Sequence, residues 1–197
     1  MKKSKKKSPK IFVWSYLDNY RKNKKKILNI IDNVFQSGNL ILSKEVSNFE
    51  NNFAAFTNNS YGVGVNSGTD ALQIALMSIG IKKGDEVITV SNTAVPTISA
   101  IVSCNATPVF VDINKSDYLI NTTLIEEQIN KKTKAIIPVN LYGQSANYNE
   151  IKKISKKYNL KIIEDCAQSS GALYKKKPSG SLGDLSAFSF YPTKNLG

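Results

Sequence analysis

Three short stretches of this chain carry residue types that could do chemistry together: a glycine-containing hydroxyl turn, a carboxylate behind an apolar run, and a lysine in a proline turn. The turn is Asn66-Ser67-Gly68-Thr69-Asp70, directly after Val65 and directly before a helical pattern. Free backbone N–H groups and the positive end of a helix dipole at such a turn favour a phosphate group. An ordinary strand-to-helix turn capped by Ser67 or Thr69 explains the same residues. The carboxylate is Asp165, in Glu164-Asp165-Cys166-Ala167-Gln168, after the apolar run 160–163. A carboxylate at the tip of a buried strand needs a cationic partner to offset its desolvation. A protonated pyridine nitrogen would serve, because the pairing keeps the ring an electron sink; a capping or salt-bridged structural role is the alternative. The lysine is Lys194, in Phe188-Ser189-Phe190-Tyr191-Pro192-Thr193-Lys194-Asn195. Alone it is one of 26 lysines and reads as a surface residue. Phosphate turn, strand-end aspartate and turn lysine, in that order on successive crossovers, are specific as a set.

The elements that must position them follow from apolar spacing. Ile27, Ile30, Ile31, Val34 and Phe35 mark one buried helix face, with Gly38 placed as its C-terminal cap. Val46, Phe49, Phe53 and Phe56 mark a second helix after Ser43 as N-cap. Short apolar runs then recur about every 25 residues, at 61–65, 86–90, 108–113, 135–139, 160–163 and 186–190. Helical patterns lie between most of them, including one at 124–129 opened by the capping box Thr123-x-x-Glu126. Strands alternating with helices predict an α/β fold, a mainly parallel sheet with helices on both faces. Ligands of such sheets bind outside the carboxyl ends of the strands, where all three stretches fall. Residues 165–185, interrupted by Gly171, Pro178, Gly180 and Gly183, read as a long loop, uncommon in compact domains unless functional.

Composition excludes several other chemistries. The formal net charge of +12 invites a nucleic-acid reading, yet 11 of the 27 cations fall within the first 26 residues. From Ile27 onward the excess is only +2, and a single cation, Arg21, is an arginine. The basicity therefore belongs to a Lys-rich tail over 1–10, expected to be solvated and disordered, and to the start of the first helix. With no histidine, His-based triads and His-ligated zinc are ruled out. Cys104 and Cys166 show no metal-like spacing and suit a reducing compartment. No run approaches the ~20 apolar residues of a membrane span, so a cytoplasmic location is expected.

The motifs Ser37-Gly38, Val65-Asn66-Ser67-Gly68-Thr69-Asp70-Ala71-Leu72, Asn92-Thr93-Ala94, Tyr142-Gly143-Gln144, Glu164-Asp165-Cys166-Ala167-Gln168 and the block from 180 to 197 carry a family likeness. From about Leu17 to Gly197 the chain resembles the DegT/DnrJ/EryC1/StrS sugar aminotransferases, fold-type I enzymes dependent on pyridoxal 5'-phosphate (PLP). The resemblance implies that residues 11–197 form the PLP-binding large domain, truncated at its C-terminus, with the smaller C-terminal domain absent. It implies that Lys194 holds the cofactor as a Schiff base, that Asp165 pairs with the pyridine nitrogen and that Gln168 hydrogen-bonds the ring's 3-hydroxyl. Gly68, Thr69 and Ser189 would hold the phosphate. Relatives often carry an aromatic where this chain has Ala94 and a histidine where it has Asn140.

The implied reaction moves an amino group from L-glutamate to a nucleotide-linked keto-sugar, as in surface polysaccharide or deoxyaminosugar biosynthesis, in a homodimer. Retention of Lys194 points to amino transfer rather than to the family's dehydratase branch, where a histidine takes its place. The alternative is a truncated, catalytically inactive copy of such an enzyme. A nucleic-acid-binding role for the tail is the remaining reading, and neither nucleic acid nor membrane is expected as a partner.

Overall fold

The computed structural model describes residues 14–196, so the Lys-rich tail expected over 1–10 lies outside the described residues. The chain divides into two units, Met1–Glu45 and Val46–Gly197. In the first, helix α1 (Leu17–Ser37) ends as its sequence predicts: Gly38 takes the left-handed conformation at φ 68°, and its N–H donates to the Phe35 carbonyl. The expected burial does not follow. Ile27, Ile30, Ile31 and Phe35 are exposed, and none of the helix's residues is buried. Periodicity encodes a face that can be buried, whereas burial itself needs a second apolar layer.

Helix α2 (Lys44–Phe56) starts directly after Ser43, and all but its first two residues belong to the second unit. It is followed by α3 (Gly68–Ser78), β1 (Glu86–Val90), α4 (Val95–Ser103), β2 (Thr107–Val111), β3 (Thr133–Ile136), α5 (Tyr148–Tyr158) and β4 (Lys161–Asp165). A small hairpin, β5 (Leu173–Tyr174) and β6 (Lys177–Pro178), precedes β7 (Leu185–Ala187). The five long-range strands form one sheet in the order β2-β1-β3-β4-β7, every neighbour parallel. Strand residues alternate between two cores, as the two-residue pleat requires. Val87, Ala135, Ile137, Ile163 and Ala187 pack with Leu72 and Leu76 of α3 and Ala100 and Ile101 of α4. Ile88, Val90, Val111, Ile136 and Ile162 pack on the other side with Tyr148, Ile151 and Ile154 of α5. The fold is the expected α/β sandwich of helices on both faces of a parallel sheet.

Three local expectations are corrected. Residues 61–65 form no strand, and Tyr61 and Val63 are 89% and 79% exposed. The segment is held against α2 instead. Gly64 N–H donates to Glu50 Oε1 at 2.6 Å, and a Cβ added to Gly62 would lie 2.7 Å from the Glu50 carbonyl oxygen. An alternating apolar pattern becomes a strand only where a neighbour supplies ladder hydrogen bonds.

The helix expected over 124–129 is a pair of 3-10 turns, Thr122–Leu124 and Glu126–Gln128. Its cap is Asn121, whose Oδ1 accepts from the Thr123 N–H at 3.1 Å and from the Thr123 hydroxyl at 2.7 Å. The Thr123 hydroxyl is thus spent on Asn121, and Glu126 Oε2 faces Lys157 and Tyr158, so no capping box closes. The long loop after Asp165 contains the β5–β6 hairpin, turned by Lys175 and Lys176 at φ 49° and 68°. Among the described residues, no helix is long and apolar enough to cross a membrane.

Candidate functional site

The carboxyl edge of the sheet collects the chemistry. β4 delivers Asp165 to that edge as its last residue, paired with Ala187 of β7 and bridged to Val139. Its side chain is almost wholly buried, and its two oxygens are separately engaged. Oδ1 accepts from the Ala167 N–H at 3.1 Å, and Oδ2 accepts from the Thr97 hydroxyl at 2.7 Å. Among the described residues no cation lies within salt-bridge distance of Asp165. Burial therefore pushes its carboxyl above the ordinary range, and the Thr97 hydroxyl, the Ala167 amide and the positive field of Lys194 pull it back.

Lys194 sits in the turn that follows β7, its N–H donating to the Tyr191 carbonyl at 2.8 Å. The turn's approach is fixed by aromatic packing. Phe188 and Phe190 meet α2 edge-on, with ring centroids 4.8 Å (Phe188–Phe53), 5.1 Å (Phe190–Phe53) and 5.0 Å (Phe190–Phe49) apart. Lys194 is half-buried, so its amine is neither locked in the core nor free in solvent.

Gly68 and Ser189 also come together. A Cβ built on Gly68 would lie 3.1 Å from the Ser189 Cβ, so the start of α3 lies close against the segment that follows β7 and a larger residue would press on it. Ser67 caps that helix, accepting from the Asp70 N–H at 3.1 Å. The sequence left Ser67 and Thr69 as alternative caps; the cap is Ser67. Thr69, the second residue of α3, is half-buried beside it. Gln168 is held by its carbonyl end: the Tyr142 N–H donates to Gln168 Oε1 at 3.0 Å. Tyr142 adopts a left-handed φ of 57° to present that N–H. With Oε1 occupied, the donor end of the Gln168 amide is the one left to meet a ligand.

Two groups that sequence reasoning passed over organise this edge from beneath. Thr97 was seen only as part of a helix pattern, yet it is buried and bonded to Asp165; its signal was a hydroxyl in the first turn after a strand's carboxyl end. Glu164, fully buried, accepts from the backbone N–H groups of Leu182, Gly183 (2.7 Å) and Gly180 (3.0 Å), and from Asn140 Nδ2 (3.3 Å). It therefore folds the loop after β4 back under the sheet edge. Asn140 completes the knot, donating to Ser179 Oγ at 3.0 Å and accepting from Ala146 N–H at 3.0 Å and the Tyr148 hydroxyl at 3.1 Å. Burial pushes the Cys166 thiol well up, so at neutral pH it stays protonated and is no nucleophile.

The sequence profile of the DegT/DnrJ/EryC1/StrS aminotransferase family matches residues 21–197. The chain belongs to that family. It is 46% identical over 186 residues to a dTDP-3-amino-3,4,6-trideoxy-alpha-D-glucose transaminase of Micromonospora megalomicea subsp. nigra, a match covering 94% of this chain and 50% of the relative. The crystal structure of S. venezuelae DesV in complex with a ketimine intermediate superposes with a TM-score of 0.93 at 37% identity, covering 96% of this chain and 51% of that one. The PLP form of a sugar aminotransferase from Streptococcus pneumoniae superposes with a TM-score of 0.81 at 32% identity, covering 86% and 47%. The chain spans about half the length of these family members.

Proposed function

We propose that the protein is a PLP-dependent aminotransferase that moves an amino group from L-glutamate to a nucleotide-linked keto-sugar, working in the cytoplasm as a homodimer. Residues 11–197 then act as its cofactor-binding large domain. The observation that carries this reading is the buried Asp165 carboxylate, with no cation within salt-bridge distance among the described residues and lying in the field of Lys194 at the carboxyl edge of the sheet. A buried acceptor in that state fits a protonated ring nitrogen. The narrow approach of Gly68 to Ser189 fits an anion held by backbone N–H groups at the start of α3. The names of the relatives support the sugar substrate and the cofactor.

When bound, the pyridine ring supplies the electron sink for amino transfer. Each residue's part follows from its position. Lys194 would hold the cofactor through Nζ, and its amine, when free, is placed to act as general acid and base. Asp165 would pair with the ring nitrogen. Gln168 would donate from its amide toward the ring oxygen, and Gly68, Thr69 and Ser189 would hold the phosphate.

The test is a spectral titration of the purified protein with PLP. A visible absorption band is expected in the wild type and is lost in Lys194→Ala. Glutamate is expected to shift that band, and a nucleotide-linked keto-sugar to restore it. A wild type with no band, or a band unchanged by Lys194→Ala, rejects the proposal.

A further inference from the structure

Beneath Asp165 lies a second hydroxyl. Thr97, 1% exposed in the first turn of α4, approaches Thr93 with Oγ1 to Oγ1 at 2.8 Å, while its own hydroxyl donates to Asp165 Oδ2 at 2.7 Å. An ionised carboxylate can only accept, and a threonine hydroxyl has a single proton to give. With that proton committed to Asp165, the contact with Thr93 must be one in which Thr93 donates. The three groups then form a directed chain, Thr93 to Thr97 to Asp165, which fits the anion. A protonated Asp165 could instead donate to Thr97 and reverse the chain. Because Thr97 is shut off from solvent, water cannot replace its hydroxyl.

We propose that Thr97, supported by Thr93, is a positioning residue that holds Asp165 ionised and aimed before the cofactor arrives. This inference rests on the reading of Asp165 as the partner of the ring nitrogen. The Ala167 amide fixes the other oxygen, so the carboxylate is clamped from both sides and cannot swing to meet the ring. The arrangement is preorganisation: the anion that will pair with a cationic ring is stabilised by groups already in place. The chain's hydroxyls sit on the loop and first turn after β1, and Asp165 on β4, so the device exists only across the sheet edge.

The experiment compares PLP dissociation constants, read from the visible band, for wild type, Thr97→Val, Thr97→Ser and Thr93→Val in the full chain. Loss of a hydrogen bond to a charged group predicts about tenfold weaker binding for Thr97→Val. Thr97→Ser keeps the donor and is expected within about twofold of wild type, and Thr93→Val, which removes only the outer donor, about threefold weaker. In an Asp165→Asn background the Thr97→Val effect should shrink to within about threefold, because the charge it serves is gone. A purely structural Thr97 would show the same loss in both backgrounds, and that result overturns the inference, as does Thr97→Val binding like wild type. If Thr97→Val does not fold, Thr93→Val binding equal to wild type overturns it. No visible band in the wild type removes the cofactor reading and this one together; a wild-type band with undiminished Thr97→Val binding removes this one alone.

Discussion

Replacing Glu164 by glutamine changes one atom's chemistry at the centre of the loop anchor. Glu164 Oε1 accepts from the Leu182 and Gly183 N–H groups and Oε2 from Gly180 N–H and Asn140 Nδ2. Glutamine keeps one oxygen and turns the other into an NH2 group. Whichever way it settles, at least two of the donors lose their acceptor and face another donor. Hydrogen bonds to a charged group contribute about 1.5–3 kcal/mol each, more when the abandoned partner is buried. Against this, a neutral amide avoids the desolvation cost of a buried charge, which offsets part of the loss. The expected net destabilisation for Glu164→Gln is about 2–4 kcal/mol. The assay is urea unfolding at neutral pH, with an unchanged m-value so that the midpoint reports stability. A second readout is local: Lys175 and Lys176 are exposed at the hairpin tip, so trypsin should cut there faster when the anchor fails. A variant within about 1 kcal/mol of wild type, with the hairpin still resistant, refutes the anchoring argument.

Two further outcomes test the electrostatics and the packing. Because burial raises the folded Asp165 carboxyl above its ordinary value of 3.8, the folded state favours the proton, and stability from this group is lost as pH rises through the raised value. Cofactor-free Asp165→Asn should therefore unfold at higher urea than wild type at pH 7, with the two converging below the ordinary value; a wild type more stable at pH 7 contradicts the sign. Gly183→Ala would place a Cβ 2.8 Å from the Ile162 carbonyl oxygen and 3.1 Å from the Glu164 Cγ, and is expected to lower stability by about 2 kcal/mol in the same assay. Stability equal to wild type would mean that the loop yields freely there.

The α/β class was legible because buried parallel strands write themselves as apolar runs spaced by helical periods, and β1, β2, β3, β4 and β7 each overlap such a run, β3 and β7 by two residues only. Segment 61–65 carries the same kind of run and is no strand, since pairing depends on what lies beside it. Residues 124–129 illustrate a different limit: Thr123 and Glu126 have the spacing of a capping box, but Asn121 takes the threonine hydroxyl and Lys157 and Tyr158 take the glutamate. Ser67 and Thr69 could each cap α3, and only the hydrogen bond from Asp70 N–H decides for Ser67.

By itself the sequence determined the family and the α/β class, because residue type and local spacing are one-dimensional properties. It could not show that Thr97 reaches Asp165 across 68 residues, that Tyr142 turns its amide toward Gln168, or that Glu164 gathers three backbone N–H groups of the following loop. Those contacts exist only once β1, β3, β4 and β7 lie side by side with their carboxyl ends at one edge. Burial there removes water as an alternative partner, so each polar group must find its complement in the chain, and tertiary structure alone settles which one it finds.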